Sequence, residues 1–417
     1  MKISEKLPIL ADAAKYDASC ASSGGKRDRA KGGIGNVTGA GICHSYTPDG
    51  RCVSLLKILL TNYCIYDCLF CLNRVSSDTP RARFTVEEVV SLTMSFYKRN
   101  YIEGLFLSSG IIQSSDYTME QLVRVARTLR KDHLFNGYIH LKAIPGCSSE
   151  LLDEAGRYAD RLSANIELPS QGELNKLAPA KNQSVIQGSM AHLNERIQAA
   201  QPGKRSQDRP APKFAGAGQS TQFIVGATDA SDKTILSKAT DLYKSYGLRR
   251  IYYSAFSPIQ HGSSILPFTR APLEREHRLY QADWLYRFYG FGLDDIFSGR
   301  SEQLDLSIDP KIAWAIAHRH LFPIDVNTAP RELLLKVPGF GVRTVQRLLA
   351  IRRQKRIRFE DLHRLNIPLS RARLFLEVSN YRPNSRLLEA ENLRSLLVPP
   401  KQLSMFEDVR SVVSGEL

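Results

Sequence analysis

Six short apolar runs, with room for an amphipathic segment between most neighbours, constrain this chain more than any other feature. They are VSLLKILLT (53–61), GLFLSSG (104–110), YIHLKAI (138–144), RLSANIEL (161–168), TQFIVGA (221–227) and RRIYYSAF (249–256). The intervening stretches 85–100, 119–133, 148–158 and 232–247 repeat their apolar residues at helical spacing. Thr85, with Glu88 three residues on, is expected to form a capping box at the start of the first. Strands alternating with helices predict a parallel sheet with crossover helices, open or curled into a partial barrel. Ligands of such folds bind at the C-terminal ends of the strands.

Directly after the first run comes TNYCIYDCLFCLNR, with cysteines at 64, 68 and 71. A disulfide uses two cysteines and a structural zinc site usually four ligands. A [4Fe–4S] cluster needs one ligand per iron, so three thiolates on one loop leave one iron open to a small molecule. The competing reading is a zinc site completed by Cys52 or His44, although zinc ligands usually come as two separated pairs. The other cysteines, Cys20, Cys43, Cys52 and Cys147, suit buried thiols, or a second cluster from the N-terminal three. With no signal-peptide layout and no apolar run of about 18 residues, the chain is expected to be cytoplasmic, with no membrane span and its seven cysteines reduced.

The spacing Cys64-x3-Cys68-x2-Cys71, with Phe70 before the last cysteine, resembles the signature of the radical S-adenosylmethionine (SAM) superfamily, over roughly residues 50–260. The resemblance implies that the open iron chelates SAM, which one electron from a donor such as flavodoxin or ferredoxin cleaves to a hydrogen-abstracting 5′-deoxyadenosyl radical. It also implies SAM contacts. The backbone of Ser108, Ser109 and Gly110 stands where the family carries a Gly-Gly-Glu-like motif, here without the glutamate. Period-two alternation puts Ser163, Asn165 and Glu167 on one face of the fourth strand. Gly226 falls in the position near adenine, where only Ile224 and Gly226 match. Candidate proton donors or quenching residues are Cys147, Tyr252 and Tyr253.

The net charge of +15 implies a polyanionic partner, and its distribution locates it. Residues 331–386 hold 14 Lys/Arg against 4 Asp/Glu, so this short stretch carries +10. Thr328 is expected to cap a helix with Pro330 in its first turn. The turn Pro338-Gly339-Phe340-Gly341 should then open a second helix with outward N–H groups that seat a phosphate. Arg343, Thr344 and Arg347 lie on its first turns. This segment resembles the helix-hairpin-helix DNA-binding motif. A degenerate copy follows at 359–377, with Pro368-Leu369-Ser370 in place of the glycines and Arg371 and Arg373 retained. Such motifs grip backbone phosphates without reading sequence. The tail peptide Gln402-Leu403-Ser404-Met405-Phe406 is similar to peptides that hook bacterial DNA enzymes onto the replication sliding clamp.

Together these features resemble a bacterial family described as DNA modification/repair radical SAM proteins. The expected fold is α/β, a partial (β/α)6 barrel of radical SAM type followed by a small all-α helix-hairpin-helix domain. The expected divisions are an N-terminal extension (1–50), a radical SAM core (51–270), connecting helices (271–322), a DNA-binding domain (323–386) and a tail (387–417). The expected cofactors are a [4Fe–4S] cluster and SAM. RNA modification, or a DNA-binding protein whose cluster is structural or a redox sensor, are the alternative readings.

Overall fold

A computed structural model describes residues 1–14, 42–46, 52–200, 213–259, 262–299 and 301–398. The chain divides into two compact units, Met1–Asp229 with Lys238–Ala271, and Ala230–Ser237 with Pro272–Leu417. No helix among the described residues is long and apolar enough to cross a membrane.

The first unit is a seven-stranded sheet in the order β1 to β7. The strands are β1 (Ile42–Tyr46), β2 (Cys52–Leu59), β3 (Gly104–Ser108), β4 (Tyr138–Lys142), β5 (Arg161–Ser163), β6 (Gln219–Val225) and β7 (Arg250–Ala255). β2 to β7 are parallel, and they coincide with the six apolar runs. β1 was not legible as a strand; it adds to β2 antiparallel, pairing Ile42 with Leu56. The helices are α1 (Ile3–Ala13), α2 (Val86–Lys98), α3 (Ser115–Lys131), α4 (Ser149–Tyr158), α5 (Gln171–Leu177), α6 (Gln183–Ala199) and, from Lys238 on, α7 (Asp232–Tyr246). At α2 the capping box forms: Thr85 Oγ1 accepts from the Glu88 N–H at 3.2 Å, and the Thr85 N–H donates to Glu88 Oε2 at 2.8 Å. Lys6 of α1 pairs with Glu88 at 2.7 Å.

The pleat gives the sheet two unlike faces. Leu56, Ile58, Leu105, Leu107, Ile139, Leu141 and Leu162 form one, all fully buried. Each such side chain contributes about 1.5–3 kcal/mol by leaving water. The alternate positions hold Lys57, Phe106, His140 and Arg161, in register across β2 to β5. This polar face is the inside of the curl. Side chains from Phe106 on β3 to Tyr252 on β7 meet around one narrow pocket, and Arg161 Nη1 on β5 reaches the Tyr252 hydroxyl at 3.3 Å.

The fourth run departs from its expected form. β5 stops at Ser163, and the chain continues beside β6 until Glu167, which bridges Phe223. Glu167 adopts a left-handed backbone (φ +63°), so strict alternation ends there. Phe214 is buried against Gly156 of α4, where a Cβ would strike its ring.

The second unit is mainly helical, with α8 (Leu273–Phe288), α9 (Leu293–Ile296), α10 (Pro310–Ala317), α11 (Arg331–Leu334), α12 (Val342–Ile351), α13 (Phe359–Arg364), α14 (Leu369–Ala372), α15 (Ser385–Glu389) and α16 (Leu393–Leu397). A two-residue parallel pair, β8 (Ile324–Asp325) and β9 (Leu376–Glu377), brackets the hairpin segment. Thr328 does not cap α11: its hydroxyl donates to Asp325 Oδ2 at 2.8 Å, and Pro330 occupies the cap position. Phe340, Val345, Leu348, Leu362 and Phe375 share one buried core.

Lys311 is fully buried in that core, and its Nζ donates to the Phe340 carbonyl at 2.6 Å. Burial, opposed by Asp309 and assisted by Lys336, pushes its pKa down to about 7. The unfolded chain therefore binds this proton between pH 7 and the ordinary lysine range while the folded chain does not. Its contribution to stability rises with pH across that window. The difference in urea midpoint between the native chain and Lys311→Met should therefore change progressively between pH 7 and 9, in favour of the native chain. A difference independent of pH would show that Lys311 stays charged when folded.

Candidate functional site

The cysteine loop leaves the C-terminal end of β2 and returns at Arg83, which bridges Thr61. A loop of this length needs internal partners for its backbone. Arg81 supplies most of them. Its guanidinium donates to the carbonyls of Asn62, Asn73 (2.9 Å), Arg74 (2.5 Å) and Ser77 (2.9 Å). Asn62 closes the base, donating to the Pro80 carbonyl at 2.7 Å and accepting from the Ala82 N–H at 2.8 Å.

Neighbouring elements fix the rest. The Ile65 N–H donates to the Ile111 carbonyl and the Gly110 N–H to the Thr61 carbonyl, both at 2.8 Å. The Leu69 N–H donates to Leu177 of α5 at 2.7 Å. Gly110 lies so close to the loop that a Cβ there would run into the Tyr63 carbonyl and crowd Cys64. Ser108 is buried, while Ser109 and Gly110 are partly open, with the Ser109 hydroxyl on the Gly110 carbonyl at 2.6 Å. The Ser108-Ser109-Gly110 segment and the cysteine loop are thus brought together.

The three thiols are near enough to influence one another. Burial, then the neighbouring Cys68, pushes the Cys71 thiol up to about 12, and burial likewise raises Cys68. Backbone N–H groups point at the sulfurs: Tyr66 and Ile111 donate to Cys64 Sγ and Asn73 to Cys71 Sγ, each at 3.4 Å. Such donors favour a negatively charged sulfur. Burial thus favours the neutral thiol at Cys68 and Cys71 while the N–H donors suit thiolates, and a metal cluster that replaces their protons fits this donor set. Among the described residues no three His, Cys, Asp or Glu side chains close around a single ion. The side chains of Cys52 and His44, which a zinc site would need, lie outside the described residues.

Phe70 packs with Leu168, Leu174 and Leu177 in the core beneath the loop. Its ring lies 6.0 Å from the ammonium of Lys181, a residue with no legible role in the sequence. Lys181 pairs with Glu167 at 2.8 Å, the carboxylate being almost fully buried. Burial opposes its charge, but Glu167 and Cys68 outweigh burial and hold the lysine pKa above its ordinary value. Ser163 and Asn165 line the polar pocket, with Ser163 Oγ 3.0 Å from His140 Nε2 and Asn165 Nδ2 donating to Gln222 at 3.2 Å. The expected polar row is therefore split: Ser163 and Asn165 face the pocket, and Glu167 engages Lys181. Gly226 has φ +80°, a conformation that favours glycine.

Of the candidate quenching residues, Tyr252 lines the pocket. Tyr253 is buried on the opposite face, stacked on Phe223 at 6.3 Å, and Cys147 is only partly buried, its thiol pushed up to about 12 by burial.

In the second unit, Pro338, Gly339, Phe340 and Gly341 are all buried. The turn opens α12 with Gly341 at its cap position; Phe340 is a core residue and Gly339 packs so closely on Pro368 that a Cβ would crowd it. Arg343, Arg347, Arg371 and Arg373 are exposed and Thr344 is half-buried; Arg371 lies 3.9 Å from Asp309. The peptide Gln402–Phe406 lies outside the described residues.

No protein-family model matches the chain, and no curated protein does. Solved structures that the chain matches include HydG, a maturase of the [FeFe]-hydrogenase (16% identity, 54% of this chain, 48% of that chain, TM-score 0.41). HydG from Carboxydothermus hydrogenoformans follows at 14% identity, with 53% of this chain, 48% of that chain and a TM-score of 0.41. Methylornithine synthase PylB matches at 14% identity over 55% of this chain and 60% of that chain, with a TM-score of 0.43. The match spans about half the length of each HydG chain.

Removing the Arg81 guanidinium leaves several carbonyls of one loop without their donor. Arg81→Ala should cost about 2–4 kcal/mol, read as a lower urea midpoint, with faster proteolysis within residues 62–80. Unchanged protease resistance of the loop would show that other contacts hold it.

Proposed function

We propose that this chain is a radical SAM enzyme acting on DNA. The observation that carries the reading is the placement of Cys64, Cys68 and Cys71 on one loop at the C-terminal end of the first parallel strand of a curled sheet. Cys64, Cys68 and Cys71 would hold a [4Fe–4S] cluster. The Ser108-Ser109-Gly110 backbone, Ser163, Asn165, Glu167, Phe70 and Gly226 would surround SAM, and Lys181 joins them. When bound, this pair supplies reductive cleavage of SAM and hydrogen abstraction from the substrate. Lys181 and Glu167 form a compact pair of opposite charges beside the cysteines, suited to the ammonium and carboxylate of an amino-acid ligand. Phe70 and its apolar neighbours limit the access of water to the sulfurs.

The cationic stretch of the second unit supports DNA as the partner. Arg343, Arg347 and Arg371 on short helices, and Arg373 just past α14, are solvent-facing within residues 323–386, and cations so displayed suit backbone phosphates. The turn Pro338-Gly339-Phe340-Gly341, whose Gly341 caps α12, would seat a phosphate on its N–H groups beside these arginines. The target base would be flipped or single-stranded, since chemistry on a base requires it out of the stack. Residues 51–270 form the catalytic core in this reading, 271–322 connect it, and Gln402–Phe406 would engage a sliding clamp. A flavodoxin or ferredoxin would deliver the electron.

Anaerobic reconstitution with iron and sulfide should load about four iron atoms per chain, and each Cys→Ser variant at 64, 68 or 71 should lose them. SAM and dithionite should then yield 5′-deoxyadenosine, in larger amount with DNA present. A loaded cluster that never cleaves SAM would move the reading to a structural or sensing cluster, and stimulation by RNA alone would replace the substrate. For the DNA contact, Arg343→Gln with Arg347→Gln should weaken binding without regard to sequence and lower the salt slope by about 2.

A further inference from the structure

The loop that follows β7 carries a bare aromatic ring close to the cysteine site. Leu266 of this loop is buried in the same apolar cluster as Cys68, Leu168 and Phe256. Further along, Ala271 is buried and its N–H donates to the Phe256 carbonyl at 3.1 Å. Between these two anchors Pro267 is half-buried, while Phe268, Thr269 and Arg270 are exposed. Two residues of chain span at most about 7 Å, so the backbone of Phe268 stands within that distance of Leu266. Pro267, with its fixed φ, further limits how the next side chain can be displayed.

Phe268 is 86% exposed, more than any other large apolar side chain among the described residues, and Ile265 beside it is 63% exposed. A phenyl ring has no polar atom to offer water, so a ring pinned outward on both sides is a contact without its partner. Charge indicates what that partner is. Arg270 is exposed and makes no hydrogen bond or ion pair among the described residues. From Leu242 to Leu273 the sequence contains no Asp or Glu. A stable protein partner would need about 800 Å² on each side. One ring and one isoleucine fall short of that, but they match the face of a single base. Aromatic rings that stack on bases, next to cations that follow the backbone, are how single strands are held.

We propose that Phe268 is a base-stacking residue for single-stranded DNA at the edge of the cysteine site, with Arg270 on an adjoining phosphate. This rests on the reading of the chain as an enzyme acting on DNA, and it names the contact that holds the strand beside the target nucleotide. A ring at this place takes over the stacking that a base loses when its neighbour is drawn out of the strand.

The test uses the full chain without cluster or SAM, so it does not depend on the radical chemistry. A fluorescein-labelled single-stranded oligodeoxynucleotide is titrated by anisotropy, and a copy carrying 5-iodouracil is crosslinked by ultraviolet light and mapped by mass spectrometry. The crosslinked peptide should contain Phe268. Phe268→Ala should weaken binding by about tenfold with no change in salt slope, and Phe268→Trp should restore it where Phe268→Leu does not. Arg270→Gln should lower the salt slope by about 1. Leu134→Ala, at another exposed apolar position, should leave binding unchanged. The urea midpoint of Phe268→Ala should equal that of the native chain, which separates lost stacking from lost structure. Native affinity in Phe268→Ala, or full binding by Phe268→Leu, overturns the stacking role. Binding that needs Arg343 and Arg347 but not Phe268 overturns this proposal and leaves the DNA reading standing. A native chain that binds neither this oligonucleotide nor duplex DNA overturns both.

Discussion

Four backbone carbonyls of the cysteine loop converge on the guanidinium of Arg81, and the candidate site depends on that convergence. Residues 62–80 have neither helix nor sheet to satisfy their polar groups, so one planar, permanently charged side chain does so. With the loop held, Gly110 can approach Tyr63, the Ile111 N–H can reach the Cys64 sulfur, and Leu69 can dock on α5. The cysteines are prepared by their surroundings before any cluster arrives.

A second constraint is the difference between the two faces of the sheet. Ordinary parallel sheets bury apolar residues on both faces. Here the outer face is aliphatic, while the inner face carries lysine, histidine, arginine and tyrosine. Burying so many polar groups is unfavourable unless they find partners, and those partners include one another: Ser163 with His140, Asn165 with Gln222, Arg161 with Tyr252. The interior is therefore polar yet largely satisfied by its own side chains.

Much of the fold was legible in the sequence. The six parallel strands and the helices α2, α3, α4 and α7 correspond to the apolar runs and periodic stretches, and the Thr85–Glu88 capping box formed. β1 was not legible, because a five-residue segment beside a Gly- and Ser-rich stretch has too little periodicity to stand out. α5 and α6 were likewise unread. The polar row Ser163, Asn165, Glu167 was legible as polar, but its division into a pocket pair and a lysine-bound carboxylate follows from the left-handed backbone at Glu167. Thr328 matched a capping pattern but found a stronger local partner in Asp325. The glycine turn at 338–341 opens α12 as its pattern suggests, with Phe340 packed into the core.

The sequence by itself determined the alternating α/β order, the three-cysteine loop after the first parallel strand and the concentration of positive charge in residues 331–386. These are local or additive properties, set by side-chain period, spacing and composition. Only the tertiary structure decided that Lys181 stands beside Glu167 and the cysteines, that Arg81 organises their loop, and that Arg161 and Tyr252, 91 positions apart, meet inside the curl. The physical reason is the curvature of the sheet, which brings β5 and β7 side chains together across its interior, a closeness that no pattern along the chain records.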